Sequence, residues 1–242
     1  MPDIDKQLNE IANLIREMPD ADMGQVVDAV MGAAYGSAGE RCMALSTVVA
    51  VGNETGDRFV QAMSDELGKL NVGIATDSTA DYGPVVSQAH KQKIEDYIQM
   101  GVDEGAKLVV DGRNFSLQGY ENGFYVGPTL FDDVQPTMRS YQDEIFGPVL
   151  CVIPFKDEAQ AIEIANDSKY GLGAALWSSN INRVHRVAKR LQAGSVWVNN
   201  YNEGDMTVPF GGFKMSGNGR DKSLHAIEKF TETKTTWIRL HP

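Results

Sequence analysis

Short apolar runs alternate along this chain with stretches in which apolar residues recur every three or four positions. The runs "STVVAVG", "AKLVVDG", "PVLCVIPF", "GAALW" and "GSVWVNN" read as strands, most of them buried, because each is brief, rich in β-branched residues and bounded by turn formers. The periodic stretches read as amphipathic helices. One runs from Asp22 to Tyr35, with Val26, Val27, Val30, Met31 and Ala34 on one side. Another is "DRFVQAMSDELGKL", with Phe59, Val60, Met63 and Leu67 on one face. "QAHKQKIEDYIQM", "EAQAIEIAND" and "INRVHRVAKRLQ" complete the set, and Ser87 and Asp157 stand where side-chain N-caps belong. Leu8, Ile11, Ala12 and Ile15 keep helical spacing in "QLNEIANLIRE" and predict a short N-terminal helix. "NFSLQGYENGFYVGPTLFDDV" reads as a hairpin or extended loop. The glycine-rich stretch "PFGGFKMSGNGR" follows the last core strand, and "SLHAIEKF" (helix) and "KTTWIRL" (strand) close the chain. The alternation predicts an α/β fold with a mostly parallel sheet covered by helices.

Composition narrows the class. The 242 residues include 42% hydrophobic and 23% charged positions, which suits a globular domain with a sizeable core. Acidic residues outnumber basic ones 33 to 22, for a net charge of −11, so nucleic acid and anionic membranes are poor partners. No signal-like start or membrane-length apolar run is present, and the two cysteines do not make a disulfide framework. A cytoplasmic setting is expected. His90, His185, His225 and His241 show no metal-ligand spacing, and no metal is expected.

Candidate chemistry centres on Cys42. It follows Gly39 and lies beside Arg41, in a setting that suits either an exposed thiolate nucleophile or a small residue packed at a helix end. Cys151 lies inside an apolar strand pattern and reads as structural. The context of Cys42 decides between its two roles. "GERC", "EIFGP" (Glu144 to Pro148), "YGLGAALW", "GSVWVNN" and "PFGGFKMSGNGR" occur in that order, and together they resemble the aldehyde dehydrogenase superfamily from about Met18 to Leu240. The stretch "MPDADMGQVVDAVMGAAYGSAGERCMALS" is most similar to CoA-acylating methylmalonate-semialdehyde dehydrogenases. The tail from "NNYNEGDM" onward is more similar to γ-glutamyl-γ-aminobutyraldehyde dehydrogenases and related broad-range members.

The resemblance implies the catalytic-domain fold of that family and a mechanism. The thiol at position 42 attacks an aldehyde to give a thiohemiacetal, with the Cys42 backbone N–H as one donor to the oxygen. Hydride passes to NAD or NADP, and the resulting thioester is released to water or to coenzyme A. Covalent capture fixes the reacting carbon, and preorganised donors meet the developing charge. By the same resemblance Glu144 binds the nicotinamide ribose and Phe146 packs beside the nicotinamide. Arg41 either holds a substrate carboxylate or pairs with Glu40 or a carbonyl. Asn199 and the "PFGG" turn read as framework.

Domain expectations follow from the same alignment of motifs: an extra N-terminal helix over 1–17, a catalytic domain over 18–210, and a tail over 211–242 whose last strand joins a neighbouring subunit in a homo-oligomer. Most cofactor-binding elements of the family have no match here, so binding of NAD by this chain is expected to be incomplete. Glu10 falls near the place of the family's general base but within a helical pattern. The alternatives are a non-catalytic oligomerising scaffold and an NAD-independent thiol esterase.

Overall fold

Seven strands share one sheet in the order β3-β4-β5-β2-β1-β7-β8. The computed structural model describes residues 14–17 and 20–241. The strands are β1 (Leu14–Glu17), β2 (Thr47–Val51), β3 (Lys107–Val110), β4 (Thr129–Asp132), β5 (Val149–Phe155), β7 (Gly173–Trp177) and β8 (Ser195–Val198). A separate pair joins β6 (Tyr170–Gly171) to β9 (Phe213–Lys214). Among the described residues of the seven-stranded sheet only β3 runs antiparallel to its neighbour, making with β4 a hairpin with a long connection. The helices are α1 (Met23–Tyr35), α2 (Asn53–Leu67), α3 (Gln88–Asp103), the single turn α4 (Arg139–Gln142), α5 (Glu158–Asn166) and α6 (Ile181–Arg190).

Strand β5 is buried at consecutive positions, as a strand covered on both faces must be. Helices α1 and α2 pack on each other and on β5, α5 lies against β2 and β5, and α6 lies on β7. Val26, Val30, Phe59 and Met63 are fully buried, as the helical spacing predicts. The caps form as expected: Ser87 accepts from the His90 N–H at 3.2 Å and Asp157 from the Gln160 N–H at 2.9 Å. Asp20 ties the approach to α1 to the approach to α6. Burial opposes its ionised form, but bonds from Ser178 and Ser179 and the charge of Arg183 outweigh this and hold its carboxyl below the usual range.

Two expectations are corrected. Leu14–Glu17 is a strand, paired in parallel with both β2 and β7, where a helix was expected; the rest of that predicted helix, with Glu10, lies outside the described residues. The spacing of apolar residues over so few positions fits either state, and two neighbouring strands with open hydrogen-bonding edges select the extended one. At the other end, "SLHAIEKF" forms a 3₁₀ turn over Leu224–Phe230, and the closing "KTTWIRL" is not a strand. A strand needs a hydrogen-bonded partner, and "KTTWIRL" pairs with none of the described strands.

The buried Tyr35 hydroxyl donates to the Thr129 carbonyl at 3.0 Å and so fastens α1 to β4. Tyr35→Phe removes that donor from a dry site and is expected to cost about 1–2 kcal/mol in urea unfolding, with an unchanged denaturant slope.

Candidate active site

The site is assembled from two backbone segments. The first begins where α1 ends. Ser37, Ala38 and Gly39 follow in a left-handed turn, with φ of 55°, 54° and 70°. Side chains disfavour this conformation by about 1–2 kcal/mol per residue. At position 39 only glycine fits: a Cβ there would lie 2.2 Å from the Gly147 carbonyl oxygen.

The turn delivers Arg41 back to the helix end. Its Nη2 donates to the Gly32 and Ala33 carbonyls at 2.6 and 2.9 Å, which caps the negative end of α1 with a cation. Of the roles open to Arg41 in the sequence, this is the pairing with carbonyls. On the far side, the Tyr201 hydroxyl donates to the Met43 carbonyl at 2.9 Å. Burial pushes the Tyr201 phenol well above its ordinary value, with the Arg41 charge opposing, so it stays a donor. Cys42 sits between these two anchors with its side chain exposed.

The second segment is the turn before β5. Three side chains of α3 reach it. Tyr97 donates its hydroxyl to Asp143 Oδ2 at 3.2 Å, Lys93 donates Nζ to the Glu144 carbonyl at 3.5 Å, and His90 Nε2 lies 2.7 Å from the Phe146 carbonyl. Positions 90, 93 and 97 share one helix face, so the stripe follows from helical geometry. Arg139 adds a fork onto Asp143 Oδ2 at 3.0 and 2.7 Å. Phe146 has φ of 61°, a conformation rare for an aromatic residue and held here from outside.

The two segments meet in a narrow cleft of about 20 Å³ whose lining includes Arg41, Ala44, Glu144 and Phe146. Cys42 lies between two of these lining positions in the chain. The structure thus brings Arg41, Glu144 and Phe146 to one cleft, whereas Cys42 is exposed and is not part of that lining. Cys151 contrasts: it is buried, its Sγ lies 3.5 Å from the Ser140 carbonyl, and burial pushes its thiol up to about 12.

The α3 contributors His90, Lys93 and Tyr97 were not read from the sequence. The signal available was the Ser87 cap, which fixes the phase of α3 and hence its polar face. Their partners lie far away in sequence, and no local pattern reveals them. Asn199 is framework as expected, its amide bonded to both the N–H and carbonyl of Ser178 at 2.9 and 3.2 Å. The glycine-rich stretch is a structural turn, closed by reciprocal backbone bonds between Phe210 and Asp221. Among the described residues no group of three or more His, Cys, Asp or Glu could hold a metal, and no helix is long and apolar enough to cross a membrane.

The aldehyde dehydrogenase family model matches residues 13–236. The chain belongs to the aldehyde dehydrogenase family. It is 45% identical over 219 residues to the NADP/NAD-dependent aldehyde dehydrogenase PuuC of Escherichia coli (strain K12), covering 90% of this chain and 43% of that one. Among solved structures, methylmalonate-semialdehyde dehydrogenase (DddC) from Oceanimonas doudoroffii superposes with a TM-score of 0.87 at 38% identity, over 96% of this chain and 48% of that one. Betaine aldehyde dehydrogenase from Staphylococcus aureus, in complex with NAD⁺, gives 0.86 at 36% identity, over 92% and 43%. The chain therefore spans less than half the length of these aldehyde dehydrogenases.

The two cysteines make an internal comparison. Iodoacetamide at about pH 8 is expected to label Cys42 in the folded protein and Cys151 only after denaturation, as read by peptide mass spectrometry. Arg41→Ala strips the cap from α1 and is expected to lower stability by about 1–2 kcal/mol in urea unfolding.

Proposed function

We propose that this chain is the catalytic part of an NAD(P)-dependent aldehyde dehydrogenase, with Cys42 as the nucleophile. The observation that carries the reading is an exposed Cys42 whose chain neighbour Arg41 lines a cleft together with Glu144 and Phe146. In this reading the Cys42 thiolate attacks the aldehyde carbon, a C–S bond forms, and the carbonyl oxygen takes up the charge as a thiohemiacetal. NAD(P)⁺, when bound, accepts the hydride that leaves this carbon. The thioester that remains on Cys42 is released to water, or to coenzyme A as the acyl acceptor.

The residues present fit the nicotinamide end of such a cofactor. The Glu144 carboxylate, on the cleft lining, suits the hydroxyls of a ribose, and the half-buried Phe146 offers a ring for a flat heterocycle to pack against. The N-terminal segment, the catalytic domain over 18–210 and the tail from 211 divide the work. The tail serves assembly: Trp237, Ile238 and Leu240 are 93%, 77% and 87% exposed, a density of apolar surface that suits pairing with a second copy of the chain. A reducing, cytoplasmic setting keeps Cys42 in the thiol state this chemistry needs.

A cofactor-independent thiol esterase draws on the same exposed cysteine, and one experiment separates the readings. The protein is incubated with an aldehyde and NAD⁺, and then with an activated ester alone. Mass spectrometry of the Cys42 peptide is expected to show an acyl adduct that requires NAD⁺ in the first case, and Cys42→Ser to abolish it. Ester acylation without any NAD⁺-dependent adduct supports the esterase. An adduct that persists in Cys42→Ser ends both readings.

A further inference from the structure

We propose that Glu40 and His90 form a clasp that holds the Cys42 loop in register with the turn bearing Glu144 and Phe146. The inference rests on the function proposed above, since only that function gives the register a consequence. His90 Nε2 lies 2.7 Å from the Phe146 carbonyl oxygen and 3.2 Å from Glu40 Oε1. A carbonyl and a carboxylate are both acceptors, so the bridging nitrogen must carry the proton and donate to both. This assigns the Nε2–H form from the network of partners. Glu40 is itself fixed, because its Oε1 also accepts the Val86 N–H at 3.2 Å.

The two ends of the bridge matter for different reasons. Glu40 stands two positions before Cys42 in the loop. Phe146 sits in a left-handed conformation that its side chain resists, and a donor to its carbonyl helps to keep it there. A second contact shows that the loops are already pressed together: the Gly39 backbone leaves no room for a methyl group against the Gly147 carbonyl. Sterics at Gly39 set how close the loops come. The clasp sets how they are oriented, and α3 acts as the common rail.

Orientation is what a covalent hydride-transfer site requires. The carbon held on the thiol and the ring held by the turn must meet within a narrow geometry, and a displacement of about 1 Å costs roughly 10²-fold in rate. His90 is therefore a positioning residue that touches neither reacting group. Gln at position 90 retains a terminal N–H at a similar reach, whereas Leu retains bulk and loses the donor.

The test uses the whole chain and three variants, His90→Leu, His90→Gln and Glu40→Ala. Two quantities are read in each: hydrogen exchange of the amides at 144–147, and the rate of iodoacetamide alkylation at Cys42. His90→Leu is expected to speed exchange in the turn about tenfold and to change alkylation of Cys42 about threefold, on the scale of one lost hydrogen bond. His90→Gln is expected to stay within about twofold of the parent on both. Glu40→Ala is expected to shift alkylation as His90→Leu does while leaving exchange at 144–147 near the parent value. A His90→Leu protein matching the parent on both readouts overturns the clasp, and so does a His90→Gln protein that tracks His90→Leu. If His90→Leu does not fold, unchanged alkylation in Glu40→Ala overturns it. NAD⁺-dependent aldehyde capture by the parent protein, run on the same samples, reports on the proposed function separately. Its absence ends that function while the two clasp readouts still stand on their own.

Discussion

The backbone contact between Gly39 and Gly147 is the constraint from which the site follows. A methyl group at position 39 would overlap the Gly147 carbonyl, so glycine is the only residue that lets the two loops close. Everything chemical is strung on either side of that contact. Arg41 and Cys42 follow within a few residues of Gly39, and Glu144 and Phe146 lie just before Gly147. Separating the loops by the width of a side chain would leave a thiol on one surface and an aromatic turn on another.

The sheet explains why these loops meet at all. Strand β2 begins shortly after Cys42, β5 begins shortly after Phe146, and the two are hydrogen-bonded parallel neighbours with Thr47 opposite Cys151. Two parallel strands side by side bring the segments that precede them to the same end of the sheet. In open α/β sheets ligands usually gather at the carboxyl ends of the strands. Here the candidate site lies at the amino ends of β2 and β5, because the chemistry is carried by the approaches to the strands. The rigid part of the fold supplies the register, and the α3 stripe of His90, Lys93 and Tyr97 supplies the fine placement.

What could be read from the sequence divides along the same line. Strands β2, β5, β7 and β8 and helices α1, α2, α3, α5 and α6 were legible because each carries its own period or its own cap. The family was legible because its short motifs recur in order, and Cys42, Glu144 and Phe146 came with them. Strand β1 was not legible: its residues fit a helix locally, and only pairing with β2 and β7 makes them a strand. The part played by His90 was hidden for a similar reason, since its partner at Phe146 is 56 residues away. The closing "KTTWIRL" has the pattern of a strand but makes none, because it pairs with no other described segment. In each case local preference was correct about what a segment can do, and long-range contact decided what it does.

The two cysteines show how far environment outweighs residue type. Cys151 is an interior residue of β5, and removal from water makes its thiolate so unfavourable that ionisation is pushed to about 12. Cys42 lies only a few residues from an equally buried strand, β2, but the left-handed turn at Ser37, Ala38 and Gly39 and the anchors at Arg41 and Tyr201 lift it out of the core. A loop with no strained residues would be expected to relax toward the sheet and bury a small apolar thiol, since free cysteines are among the residues most often buried. The unfavourable backbone angles are thus the physical cost of keeping this sulfur in solvent. Such angles flank the cleft on both sides, at 37–39 and again at Phe146, and the first group lies directly on the approach to Cys42.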